Sequence, residues 1–243
     1  MKLPVRVLLL AFVFFFVAVA TSPAQNWTES YNKLLSKYVT SGGVKYAEWK
    51  GNAADMQALQ GVIDGIAKEN ASAMEKKAQL AFYVNAYNAW ILHEALAKYP
   101  TKSVKDALFT FFTSKRITVA GQQTSFKAFE DNVIRKMGEP RIHFALNCAS
   151  RSCPPLSRQA FTAGNLDGQL ETLAKGYVNS DRGVRYNAAT KTAELSKIFD
   201  WYKDDFKGDG GPVAFINKRR SSPLPADAKI SYQDYDWGLN EAR

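Results

Sequence analysis

The sequence predicts an α+β fold: a mostly helical single domain around a central buried helix, with two small antiparallel hairpins. Three observations lead there. One long helical stretch, Glu75 to Tyr99, is apolar all round between Leu80 and Leu92 apart from Asn85 and Asn88, as the buried centre of a domain is. Shorter stretches around it repeat their apolar residues at helical spacing. Two alternating pairs of segments each flank a turn.

The first residues read as a secretory signal spanning 1–24. Lys2 and Arg6 precede an apolar run from Leu8 to Ala20, and Ser22-Pro23-Ala24 offers small residues for cleavage before Gln25. The run is about 13 residues, short of the roughly 20 that a membrane-spanning helix needs. A retained N-terminal anchor is the alternative. No cysteine follows the run to carry a lipid. The expectation is a periplasmic or secreted protein, not stably inserted in a membrane, with residues 25–243 forming one globular domain. Net charge is +9, or +7 once Lys2 and Arg6 leave with the signal. The basic residues are scattered and show no stripe interleaved with exposed aromatics, which argues against a nucleic-acid partner.

In chain order, Trp27, Tyr31, Leu34, Leu35 and Tyr38 predict a first helix, ended by Gly42-Gly43. Val44 to Trp49 alternates and predicts a short strand. Met56, Leu59, Val62, Ile63 and Ile66 predict a second helix, with Asp55 near its start to offset the dipole. The long stretch opens with Glu75 and ends with Lys98 before Pro100. Its two amides, Asn85 and Asn88, stand three apart and share a face. Buried amides must find partners, so both are expected either to hold loop backbone or to serve a site. His93 lies about 80° round the helix from Asn85. Ser103 to Phe109 predicts a short helix, and Arg116–Ala120 with Gln122–Ser125 a hairpin about Gly121. Ser125 is placed to cap a helix carrying Phe126, Phe129, Val133 and Ile134. Leu166 to Tyr177 predicts another helix. Gly183–Asn187 and Lys191–Leu195 predict the second hairpin, Ser196–Phe206 a Ser-capped helix, and Pro212 the start of a short one. The aromatic tail, Ile230 to Asn240, is expected to dock on the domain.

The chemistry concentrates between Arg141 and Leu156. This stretch holds both cysteines, Cys148 and Cys153, one of two histidines, His143, and Asn147, Ser150, Arg151 and Ser152. Three readings compete. The cysteines form a disulfide, as two cysteines in an exported chain favour; Cys148 stays reduced as a nucleophile; or His143, Cys148 and Cys153 hold a metal, though Cys-x4-Cys is at the edge of usual zinc spacing. Both histidines precede Cys148, so a papain-like order is excluded unless the fold is permuted. For the nucleophile, His93 is the candidate base and Asn85 its orienting partner, an arrangement defined by geometry and not by sequence order. That would suit amide hydrolysis or acyl transfer. The alternative is a non-catalytic module that binds an envelope peptide or glycan through a disulfide-shaped loop. Asn88, His143, Ser150, Arg151 and Ser152 are the candidate binding residues; no cofactor or metal is assigned.

Four ordered motifs carry a resemblance. Asn85-Ala-Tyr-Asn88, His143-Phe-Ala-Leu with Cys148 and Ser152-Cys-Pro-Pro-Leu156, Leu195-Ser-Lys-Ile-Phe-x-Trp-Tyr-x-x-Asp-Phe206, and Tyr235-Asp-Trp-x-Leu-Asn240 together resemble the domain-of-unknown-function 547 family. The resemblance runs from about Leu80 to Asn240. It implies an exported bacterial α+β protein and implies no reaction. In the family's plant members Asp-Pro stands where this chain has Cys153-Pro154. That implies that Cys153 is accessory, and that the His93, Asn85 and Ser152 positions belong to a shared site.

Overall fold

The computed structural model describes residues 23–105, 112–114 and 116–242, with side chains from Trp27 onward in the first helix. The signal-like segment through residue 22, and most of the expected 103–109 helix, lie outside the described residues. Helix α1, Pro23–Tyr38, and helix α3, Ala53–Lys68, pack side by side. Their apolar stripes (Trp27, Tyr31 and Leu34; Leu59, Val62 and Ile66) are all buried. Gly65 permits the close approach, because a Cβ there would fall 2.7 Å from the Trp27 side chain.

Helix α4, Lys76–Lys98, is the buried centre that its composition predicts. Leu80, Val84, Ala86, Ala89, Ile91 and Leu96 are all inside. Its C-terminal carbonyls need partners that a helix cannot supply to itself. Lys50 donates to Leu96 O (2.8 Å), which also sets a cation against the negative end of the dipole.

Strands β1 (Val39–Thr40) and β2 (Gly43–Val44) form a minimal hairpin. The strand expected over Val44–Trp49 stops at Val44, and Tyr46–Lys50 is helix α2. Tyr46 and Trp49 are both fully buried, and a three-residue spacing turns them to one side only in a helix. Gly43 has φ 136°, and a Cβ there would overlap the Asn240 carbonyl, so the hairpin seats the C-terminal tail.

Strands β3 (Ile117–Val119) and β4 (Gln122–Thr124) pair about Gly121 as expected. Ser125 Oγ accepts from Ala128 N (3.2 Å) and starts a helical segment at Phe126. That segment continues as a π-turn, Glu130–Ile134, and a 3-10 turn, Arg135–Met137. The second expected hairpin, β5 (Val184–Asn187) with β6 (Thr192–Leu195), gains a third strand. β7, Lys229–Tyr232, from the tail, pairs with β6 in parallel. Ser196–Phe206 is a short helix, Ile198–Trp201, followed by a 3-10 stretch, Lys203–Asp209, instead of one continuous helix.

A second apolar cluster gathers around Phe144, whose ring lies 5.4–5.7 Å from those of Tyr177, Phe199 and Phe215. Leu173 packs against both clusters, so the two are continuous. No helix among the described residues is long and apolar enough to cross a membrane.

Candidate functional site

The Cys148 loop is held from beneath by amides. Asn88 Nδ2 donates to Ala145 O (2.8 Å) and its Oδ1 accepts from Asn147 N (2.9 Å). Asn147 passes the constraint on, donating to Pro154 O (2.8 Å) and accepting from Ala149 N (2.8 Å). Ala149 thereby keeps a left-handed backbone (φ 61°), which costs a non-glycine residue about 1–2 kcal/mol. The tail locks the other side. Asn240 N donates to Ala149 O (2.9 Å), Arg151 N to Gly238 O (2.8 Å), and Asp236 N to Ser152 Oγ (2.8 Å).

Within this loop Cys148 and Cys153 form a disulfide. The sulfurs form part of the wall of a cavity of about 400 Å³. Cys148 Sγ lies 3.0 Å from Ser150 Oγ and 3.3 Å from the Tyr235 hydroxyl. Cys153 Sγ accepts from Cys148 N (3.0 Å) and from Tyr235 (3.3 Å).

Across the cavity runs a chain of charges. Lys127 and Arg135 both bind Asp131 (2.6 Å each), and Arg135 grips Asp205 with two nitrogens (2.7 and 2.8 Å). A carboxylate can only accept, so His143 donates its Nε2–H to Asp205 Oδ2 (2.8 Å). Burial pushes the Asp205 pKa up, but the bonds from His143 and Arg135 outweigh it and hold it well below the usual carboxylate range. Glu130 accepts from the Tyr87 hydroxyl (3.1 Å) and also engages Tyr202. Burial first, and then the Glu130 charge, raise both phenols, so they stay protonated donors. The remaining wall is aromatic. Trp201, Tyr235 and Trp237 pack with centroids 4.5–5.9 Å apart, and Trp201 is 47% exposed.

Of the residues singled out in the sequence, the cavity wall takes Cys148, Cys153 and His143. Ser150, Arg151 and Ser152 line a neighbouring cleft of about 550 Å³ with Arg182 and Gln233, on the other side of the same loop. Asn85 is buried and structural in its bonding, donating to Phe161 O (2.7 Å) and accepting from Phe161 N (2.9 Å). His93 does not meet Cys148. Its ring nitrogens engage Glu94 and Gln60 (3.1 Å each), and its ring lies edge-on to Trp90. The expected Cys148–His93–Asn85 triad is therefore not assembled. The reason is rotational: the face of α4 that carries Asn88 meets the loop, and His93 points to α3. No group of three or more metal-ligating side chains occurs among the described residues.

Residues 71–178 match the family model described as a protein of unknown function, DUF547. The chain carries a DUF547 domain. No curated protein and no solved structure matches the chain. The DUF547 span is shorter than the stretch of resemblance read from the motifs. It supplies α4, Glu130, Asp131, Arg135, His143 and both cysteines. Trp201, Tyr202, Tyr235 and Trp237 on the wall, and Asp205 behind His143 and Arg135, come from beyond it, so segments outside the DUF547 match complete the cavity. Glu130, Asp131 and Arg135 escaped sequence reading because they sit on a helix that looks like an ordinary charged surface. The aromatic residues and Asp205 did leave a signal, since they stand in the Leu195–Phe206 and Tyr235–Asn240 motifs.

Proposed function

We propose that this chain is a non-catalytic glycan-binding module of the cell envelope, exported to the periplasm or beyond. The observation that carries the reading is the half-exposed Trp201, backed by Tyr235 and Trp237, on the wall of a cavity that also presents carboxylates and phenols. A sugar ring offers apolar faces to an aromatic platform and hydroxyls to polar groups around it, the mixture that small-molecule sites use. The two cations on the cavity wall, Lys127 and Arg135, are paired with Asp131 and Asp205. That pairing favours a neutral ligand over an acidic peptide.

Cysteine-dependent hydrolysis or acyl transfer needs a thiolate with a base beside it. Cys148 is bonded to Cys153 and His93 is held elsewhere, so the binding reading is the better supported. The test is calorimetric titration of the purified chain with neutral soluble envelope oligosaccharides and, in parallel, with envelope peptides. Saturable binding of an oligosaccharide, lost in Trp201→Ala, supports the reading. Binding of peptides alone, or of neither, overturns it.

A further inference from the structure

The disulfide is more than a brace for the loop, because of what surrounds its two sulfurs. Both line the cavity, yet they are not equivalent. The Tyr235 hydroxyl lies 3.3 Å from each sulfur and Ser150 Oγ 3.0 Å from Cys148 Sγ; what sets Cys153 apart is its burial, at 5% exposed, and the bond it receives from the Cys148 backbone N–H (3.0 Å). Cys148 is the more open of the pair. Tyr235 is itself positioned by Ser150, whose Oγ donates to it (3.1 Å). A neutral disulfide sulfur is a weak acceptor and gains little from two donors. A thiolate gains a great deal, because hydrogen bonds to a charged partner are about twice as strong as neutral ones. The donors are thus arranged for a species that exists only after the S–S bond opens.

We propose that Cys148–Cys153 is a thiol–disulfide exchange site for a small thiol that enters the cavity. The incoming thiol loses its proton to solvent, and its thiolate attacks Cys148 Sγ. A new S–S bond forms between that sulfur and Cys148 while the Cys148–Cys153 bond breaks. The electron pair leaves on Cys153, whose thiolate is held by Cys148 N–H and Tyr235 O–H. A second thiol then attacks the incoming sulfur and releases Cys148 as a thiolate. Two thiols have become a disulfide, and the protein's disulfide has become a dithiol, a transfer of two electrons. A small-molecule disulfide returns the pair to its oxidised form by the same steps in reverse. Exchange is faster when the leaving thiol is the better stabilised one, which is the role assigned here to the Cys153 environment.

The site does not depend on the glycan reading, because exchange is read on sulfur and glycan binding by titration. The experiment incubates the full mature chain, oxidised, with reduced glutathione at neutral pH, then quenches in acid and maps adducts by mass spectrometry. The expected result is a glutathione adduct on Cys148, not Cys153, with reduction at least as fast as in the same chain unfolded in denaturant. Tyr235→Phe keeps the ring and removes the donor; it should slow reduction about tenfold, the size expected for one hydrogen bond to a charged group. An adduct on Cys153, or reduction more than tenfold slower than in the unfolded chain, overturns the proposal. If Tyr235→Phe fails to fold, the wild-type map and rate decide alone. A folded Tyr235→Phe that is reduced at the wild-type rate also overturns it.

Discussion

Asn88 and Asn147, on the central helix and on the disulfide loop, are joined by one buried hydrogen bond: Asn147 N donates to Asn88 Oδ1 at 2.9 Å. Through it the most buried element of the fold sets the height of the Cys148 loop above the core. Asn88→Ala should leave Asn147 N and Ala145 O without their side-chain partner, and a stranded buried group costs about 1–3 kcal/mol. Denaturant melts should show a loss of at least about 1 kcal/mol. A neutral result would mean that water replaces the amide.

Asn85 makes the same kind of double bond, to Phe161. Asn85→Leu should also destabilise by about 1–3 kcal/mol. It sits away from the cavity wall, so oligosaccharide affinity per folded molecule should not change. A variant of full stability with altered affinity would give Asn85 the site role that the sequence left open.

Asp205 should give the protein part of its acid sensitivity. Its folded pKa is depressed, so its stabilisation is complete above the ordinary value of about 4 and is lost as pH falls toward the folded value. Asp205→Asn should be less stable than wild type at pH 7, and the gap should close between about pH 5 and pH 2. Thermal melts across that range check the sign. Curves that stay parallel would show that Asp205 is not the group responsible; Asp131, also depressed, keeps a residual acid dependence in the variant.

The Cys148–Cys153 bridge closes a short loop, so it should contribute little to global stability. The chain-entropy estimate is about 2 kcal/mol for a loop of roughly six residues. Protein purified without reductant should show almost no free thiol, and Cys148→Ser with Cys153→Ser should lower stability by about that amount. A chain that cannot fold without the bridge would contradict the view that the apolar core and amide bonds hold the loop.

Trp201→Ala should leave the melting temperature within a degree or two, because the side chain is 47% exposed. Oligosaccharide affinity should fall by tenfold or more, the order of one lost aromatic stacking partner at the centre of a site. Equal affinity in the variant would move the binding surface elsewhere, for instance to the Ser150–Arg182 cleft.

The sequence by itself determined the elements whose periodicity is strong. α1, α3 and α4 show their buried faces in their spacing. Gly121 and the segments beside it show a hairpin, and Ser125 shows its cap, because each depends on residues within one or two turns of chain. It also drew attention to Cys148 and Cys153, which the fold joins as a disulfide. It failed at Tyr46–Lys50, where short alternation and a single helical turn look alike, and at β7, whose partner strand is more than thirty residues away. Tertiary structure alone decided the site. Which face of α4 meets the loop is set by core packing, and that choice brought Asn88 to Asn147 and sent His93 to Gln60. It also paired His143 with Asp205, and folded the tail so that Tyr235 reached both sulfurs. Hydrogen bonds between residues 62 to 87 positions apart leave no period in a sequence; they exist only once the apolar core has fixed where each segment lies.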